Sequence, residues 1–391
     1  MPRLWLCTLA LAACGGGSTP ASPDAAPPSH LDPPPAGQGV QYRMVGHILA
    51  GEEHEQCQFV QAPPEGLWVN RDEVRFEPGS HHFLLYATAY TAIPTKNERG
   101  EPVDTSGLFD CSTGATDGWN VTKLIGGSQN GEGDSMLKFP AGVAVHVPGN
   151  TVFLMNAHYV NATDRDLDPE VRINLWTVPE AQVTTEGDLL FLYNPVIKAP
   201  ALGTGRARWR CPVQHDITIA NVQSHMHRRG VGYEATVVGA SAPFYSGTAW
   251  EKVQVKTFEP GLVVHAGEVL DYHCDYDNPE NRTVYQGARS TDEMCMLIGS
   301  YYPVDRATAA CTDAQGRSVG EWVGNGTASC AATLTCLQAS SGLEGAIDCM
   351  DAASPAVAKP SSDVLNCFIN LGPNDDPAVV CQAAFAACAA I

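Results

Sequence analysis

From about Val40 the chain alternates short β-branched and aromatic runs with Gly, Pro and Asn punctuation, and this rhythm limits the fold more than any other feature. Tyr42 to Leu49, Gly66 to Asn70, His82 to Thr88, Thr151 to Tyr159, Arg172 to Val178 and Asp188 to Tyr193 form a first block. A second block runs from about Ala207 to Tyr302 and holds Ile217 to Ser224, Tyr233 to Val238, Val253 to Phe258 and Val269 to Cys274. The break between them falls near Lys198-Ala199-Pro200. Strands spaced this way predict an all-β chain of two tandem jelly-roll-like β-sandwich domains, over residues 40–197 and 198–311. Residues 312–391 differ: they are Ala-rich and hold Cys330, Cys336, Cys349, Cys367, Cys381 and Cys388. Asp376-Pro377 reads as a helix start, with Cys381 and Cys388 on one face of that helix. This tail is expected to be a small, helical, disulfide-held appendage. Six Cys allow many pairings and the sequence does not choose among them; a zinc site is the alternative, although no CxxC pair is present.

The N-terminus reads as an export signal. Met1-Pro2-Arg3 is followed by a short apolar run from Leu4 to Ala13, too short to span a bilayer. The run ends in Leu11-Ala12-Ala13-Cys14, which resembles a bacterial lipobox, so residues 1–13 are expected to be a lipoprotein signal peptide and Cys14 the lipidated residue. Residues 14–39, rich in Gly, Ser, Pro and Ala, read as a tether that cannot bury a core. The absence of an Asp after Cys14 favours an outer membrane. Of the 14 Cys, Cys7 and Cys14 are thereby accounted for, and an even number is left, as a disulfide framework in an oxidising compartment requires. A net charge of −20, with 43 acidic against 23 basic residues, argues against a nucleic-acid partner.

Six residues carry the chemistry: His81, His82, His158, His225, His227 and Met294. On a strand, His225 and His227 point together and Met226 points away, as a two-histidine chelate needs. His81 and His82 are adjacent, so both reach one ion only if the backbone twists at the strand start, and the upstream Glu77-Pro78-Gly79-Ser80 turn makes room for that. Three imidazoles form one group; two imidazoles with a thioether form another. Thioether and imidazole together favour copper, because the soft sulfur holds Cu(I) well. His54, His146, His215, His265 and His273 fall outside this pattern, and Met296 is the fallback for Met294.

The order His-His, His, His-x-His, Met resembles the copper type II, ascorbate-dependent monooxygenases, the family of peptidylglycine α-hydroxylating monooxygenase and dopamine β-monooxygenase. The resembling segments are SHHFLLY (80–86), PAGVAVHVPGNTVFLMNAHYVN (140–161), SHMHRRG (224–230) and STDEMCMLIGSYYP (290–303), the last being the most specific. The resemblance spans roughly Gln41 to Cys311. It implies two copper ions per chain. His81, His82 and His158 would hold the one that stores electrons from ascorbate or a similar reductant. His225, His227 and Met294 would hold the one that meets dioxygen, and together they would hydroxylate a C–H bond of a small organic substrate. It also implies disulfides Cys57–Cys111, Cys211–Cys311 and Cys274–Cys295.

Two departures bear on the substrate. The peptide-amidating branch has an Arg two residues before its His-x-His, where this chain has Gln223, which makes no charged bidentate contact. The same branch has a Tyr four residues after the Met ligand, where Ile298 stands. Amidation of peptides is therefore not expected. Arg228 and Arg229 are expected to be solvated rather than to grip an anionic substrate. The competing readings are a non-catalytic copper-binding lipoprotein for storage or delivery, and an envelope adhesion or scaffold module with no copper at all.

Overall fold

The computed structural model describes residues 31–131 and 136–391. The signal segment and Cys14 lie outside these residues. The chain is mostly β, with several sheets and a disulfide-bonded helical C-terminus.

Two five-stranded sheets carry the N-terminal half. One has the order Gly39–Val45, Glu170–Thr177, Leu67–Phe76, Val143–Val147, Thr185–Glu186. The other has the order Phe109–Asp110, Glu53–Gln61, Val152–Val160, Ser80–Thr88, Val121–Ser128. Apolar residues of both sheets, among them Val69, Ile173, Phe83, Leu85 and Phe153, close a core in which each is fully buried. In the C-terminal half a four-stranded sheet (Asp188–Tyr193, Cys295–Tyr302, Ile217–Met226, Lys256–Val264) accompanies a five-stranded one (Tyr245–Gly247, Gly230–Val237, Val269–Asn278, Gly203–Pro212, Glu321–Val323).

The four-stranded sheet decides how the halves meet. Successive side chains of a strand face opposite ways. In Asp188–Tyr193, Leu190 and Leu192 enter the C-terminal core while Leu189 joins the N-terminal one and Phe191 packs against it. In Cys295–Tyr302, Cys295 and Leu297 face the C-terminal core and Met296 and Ile298 the N-terminal core. A sheet buried on both faces reads as a continuous apolar run, which is what Leu189-Leu190-Phe191-Leu192 is. Asp188–Tyr193 precedes the Pro200 break but pairs along its whole length with Cys295–Tyr302, so the chain has already entered the second set of sheets before that break.

Disulfides join Cys57 to Cys111, Cys211 to Cys311 and Cys274 to Cys295, the pairs that the family resemblance implies. In the tail, Cys330 bonds Cys388, Cys336 bonds Cys349 and Cys367 bonds Cys381, so no thiolate is left there for zinc. Asp376 caps its helix as expected, accepting from Ala378 N. That helix is interrupted at Cys381, however, and Cys381 and Cys388 serve different partners rather than one shared face. The tail docks through Glu321–Val323, which adds to the five-stranded sheet beside Gly203–Pro212. The helix Ala358–Ile369 then covers that edge, and Trp322 N donates to Ser362 Oγ. Six disulfides fit an extracellular or periplasmic setting. Among the described residues no helix is long and apolar enough to cross a membrane.

Candidate metal centre

His82 and His158 sit directly opposite each other on the antiparallel strands Ser80–Thr88 and Val152–Val160, and cross-strand partners share a face. The register slips between Ser80 and His82, leaving His81 as the extra residue of a bulge. A bulge re-aims a side chain that would otherwise face the other side of the sheet. Gly79, at φ 100°, makes the turn that feeds it. Ring centroids of His81 and His82 are 5.4 Å apart, His81 and His158 5.3 Å, and His82 and His158 5.0 Å. One nitrogen from each of the three falls within 4.8 Å of the others.

The donor set fits a metal. His81 Nε2, His82 Nδ1 and His158 Nδ1 are buried and meet no hydrogen-bond partner. Leaving a buried nitrogen unpaired is costly, and a metal ion is the partner that three convergent lone pairs satisfy. His158 turns its other nitrogen, Nε2, to Glu53 Oε1 at 2.9 Å. A carboxylate in that position fixes the ring and its tautomer, with Nδ1 left for coordination. The hydrogen bond from His158 holds the Glu53 carboxyl down to about 2.

His225 and His227 end the strand Ile217–Met226 and lie just beyond it, with ring centroids 5.2 Å apart. Met226 between them is buried in the C-terminal core, as the strand period requires. Gln129 Nε2 donates to Ser224 O at 2.8 Å, which aims Gln129 Oε1 at His225 Nδ1, 2.6 Å away. His227 Nδ1 donates to Asp292 O at 3.1 Å, and its Nε2 is buried without a partner. Both rings therefore keep Nε2 for a ligand. Met294 lies on the segment just ahead of Cys295–Tyr302. Tyr276 OH donates to its carbonyl at 2.8 Å, and the Cys274–Cys295 bridge holds the next residue.

The segment before Met294 is tied to the His-x-His segment by a buried carboxylate. Glu293 accepts from His227 N at 3.1 Å and Arg229 N at 2.9 Å, and burial pushes it up to about 7. Arg229 is itself buried and paired with Glu293 and Glu280, which overturns the expectation that it is solvated. Arg228 is half-exposed and pairs with Glu280 at 2.7 Å.

His82 and His225 approach to 5.7 Å between ring centroids, so the five imidazoles form one contiguous cluster. A cavity of about 320 Å³ opens beside it, lined by His82, His225, Met294 and Met296. Its remaining wall is largely apolar (Leu84, Tyr86, Met136, Phe191, Ile298), with Glu55 and Asn156 on it. No Lys or Arg lines it among the described residues. Glu55 is buried, accepts from Asn156 Nδ2 at 2.8 Å, and is raised by desolvation. Of the other described histidines, His146 stacks on Trp68, His215 and His265 pair with Asp305 and Asp216 at the surface, and His273 faces Glu234 and Asp275. Glu53, Glu55 and Gln129 carry no motif in the sequence. Glu293, inside the Asp-Glu-Met-Cys run, is the one anchor that the sequence could have flagged.

Burial depresses the imidazoles. His81 is pushed down to about 4 and His227 to about 3, and His82 and His225 are held well below the usual histidine range, desolvation being the main cause and neighbouring imidazoles the next. Folded values below unfolded ones mean that the unfolded chain binds more protons in acid. The imidazoles' share of the stability of metal-free protein should therefore be fully present above about pH 6.5 and be lost as pH falls toward 4 and 3, by on the order of several kcal/mol in sum, opposed in part by Glu293, whose raised carboxyl acts in the other direction up to about pH 7. Urea midpoints measured from pH 7.5 to 4 on chelator-treated protein test this. The same profile in Glu293→Gln removes the opposing carboxyl, and a flat profile there would show that the cluster is hydrated or charged in the folded state.

No curated protein matches the chain. Among solved structures, the major capsid protein P2 of bacteriophage PM2 is similar at 11% identity, over 67% of this chain and 98% of that one, with a TM-score of 0.28. A peptide-N(4)-(N-acetyl-β-D-glucosaminyl) asparagine amidase is similar at 8% identity over 67% and 95%, also at 0.28. Scores this low carry no argument about fold or activity. Residues 207–319, the part of the chain that holds His225, His227 and Met294, match the model of the copper type II ascorbate-dependent monooxygenase C-terminal domain.

Proposed function

We propose that the chain is an exported copper monooxygenase that hydroxylates a C–H bond of a small organic molecule, using dioxygen and an ascorbate-like reductant. His81, His82 and His158 hold one copper, and His225, His227 and Met294 the other. The observation that carries this reading is the set of convergent, buried, partnerless nitrogens at His81, His82 and His158, beside a cavity shared by His82, His225 and Met294. On the same reading the chain divides into two jelly-roll-like sandwich domains, the second taking in Asp188–Tyr193 ahead of the 198–311 segment expected for it, with a disulfide-held tail, and lipid on Cys14 tethers it to a membrane, with the outer membrane preferred.

Copper, when bound, supplies the electron transfer and oxygen chemistry that side chains alone lack. The protein's own residues do the rest. Glu53 and Gln129 fix the His158 and His225 rings through their non-ligating nitrogens. Leu84, Phe191, Met136 and Ile298 shed water from the substrate's apolar body. Among the described residues no cationic side chain lies on the cavity wall, so nothing there compensates the burial of an anionic substrate, and Glu55 is the titratable group it would meet. The absent Arg at Gln223 points the same way, so neutral or cationic substrates are preferred to acylglycines.

The test is substrate-coupled oxygen uptake by copper-loaded protein with ascorbate, over amines, phenethyl compounds and acylglycines. Uptake with the neutral and cationic compounds, at least about tenfold above acylglycines, is the expected result; that ratio corresponds to 1.4 kcal/mol of discrimination. Stoichiometric copper with no turnover would reassign the chain to copper storage or delivery. No bound copper would remove both readings.

A further inference from the structure

The two ligand groups come from different halves of the chain, yet one carboxylate touches the supports of both. Glu53 opens the strand Glu53–Gln61. Its Oε1 lies 2.9 Å from His158 Nε2 and also accepts from Ser290 N at 2.8 Å, and its Oε2 accepts from Ser290 Oγ at 2.8 Å. His158 is buried and Ser290 nearly so, and Glu53 and Ser290 stand 237 positions apart. Ser290 begins the segment that leads through Asp292 and Glu293 to Met294. Asp292 O and Glu293 hold His227, and Cys295 is bonded to Cys274. The far end of this segment is thus pinned covalently, and its near end is pinned by Glu53.

We propose that Glu53 is a positioning residue that couples the two ligand groups, setting the ring of His158 in one and the Met294-bearing segment of the other through the same carboxylate. This rests on the reading of both groups as copper sites. The physical basis is that a carboxylate offers enough lone pairs for all three donors at once, so the His158 ring and the Ser290 backbone cannot shift independently. Copper seated on His81, His82 and His158 stiffens the ring that Glu53 grips. The carboxylate passes that restraint to the segment behind Met294, and the coupling is reciprocal, as any linkage between sites must be.

The experiment titrates copper into the full chain against a competing chelator and reads the Cu(I)–sulfur signal by X-ray absorption. Wild type is compared with Glu53→Ala, Glu53→Gln, Ser290→Ala and His81→Ala. Glu53→Ala should weaken the three-histidine site by about 10- to 100-fold and also reduce the Cu–S signal. Ser290→Ala, which removes the hydroxyl part of the link, should reduce the Cu–S signal and make it less sensitive to whether the three-histidine site is filled. His81→Ala should weaken the three-histidine site and, by the same reciprocity, lower the Cu–S signal as well. Glu53→Gln retains a carbonyl for Ser290 and should keep more of the Cu–S signal than Glu53→Ala, and it is the decisive variant if the alanine form does not fold. In metal-free protein, Glu53→Gln and Ser290→Ala should speed amide hydrogen exchange across residues 290–294. An unchanged Cu–S signal and unchanged exchange in Glu53→Gln and Ser290→Ala would overturn the coupling and leave Glu53 as a support for His158 alone. Copper binding by the wild type with none of these changes in the variants sinks the coupling only, and a wild type that binds no copper removes the functional reading with it.

Discussion

Met294→Leu is expected to lower substrate-coupled oxygen uptake by more than about 100-fold while leaving the fold and the three-histidine site intact. Leucine nearly matches methionine in volume and apolarity, and swaps of this kind cost less than about 1.5 kcal/mol even in a packed core. Met294 is only partly buried against the N-terminal core, so its packing loss is smaller still. What leucine lacks is sulfur, the soft donor that biases a copper site toward Cu(I). Loss of a supporting group around a metal ligand costs about 10- to 100-fold, and loss of a ligand exceeds that. Copper titration should show the second site lost or weakened far more than the first, which changes only through the Glu53 link, with the thermal midpoint held. The informative alternative is Met296, which pairs with His225 in register and lines the same cavity. Turnover within about threefold of wild type in Met294→Leu would transfer the donor role to Met296, and Met296→Leu would then show the loss.

The parts of the site that were legible in the sequence are those set by local period. His225 and His227 share a face because alternate strand residues do, and Met226 is buried on the other side for the same reason. The adjacency of His81 and His82 demanded a backbone irregularity, and the bulge at His81 is that irregularity. The parts that were not legible depend on contacts between distant segments. Glu53 sits in Glu-His-Glu-Gln, a run whose charges read as a solvated strand edge, and nothing local announces that Ser290 will donate to it twice. Gln129 follows Gly126-Gly127-Ser128 and looks like a loop residue, yet its amide orients His225. Strand Asp188–Tyr193 gave no sign of its partner because both of its faces are apolar, and a strand buried between two cores has no polar face to betray which sheet it joins. The tail pairings were open for a related reason: spacing in sequence does not fix which of six Cys meet, and helix packing decides it.

Removing the Cys274–Cys295 bridge as Cys274→Ala with Cys295→Ala should cost about 3 kcal/mol of stability by the chain-entropy account, since it closes a segment of 21 residues. Both half-cystines are fully buried, so alanine is the better replacement; serine would bury an extra hydroxyl. The same account gives about 4.7 kcal/mol for Cys211–Cys311, which spans 100 residues. Stability therefore ranks the Cys211–Cys311 variant as the more damaged. Copper should rank them the other way. Cys295 adjoins Met294 and lies in register with Met226, next to His225 and His227. Without its bridge the Met294 segment is held by hydrogen bonds alone, among them those of Asp292, Glu293 and Ser290 and the Tyr276 bond to the Met294 carbonyl. The Cys274–Cys295 variant should lose Cu–S signal and turnover at temperatures where it is still folded, whereas the Cys211–Cys311 variant should keep both until it unfolds. Urea midpoints and Cu–S amplitude measured on the same two proteins test the inversion. Parallel loss of stability and copper binding in both variants would mean that the bridge near Met294 serves the fold alone.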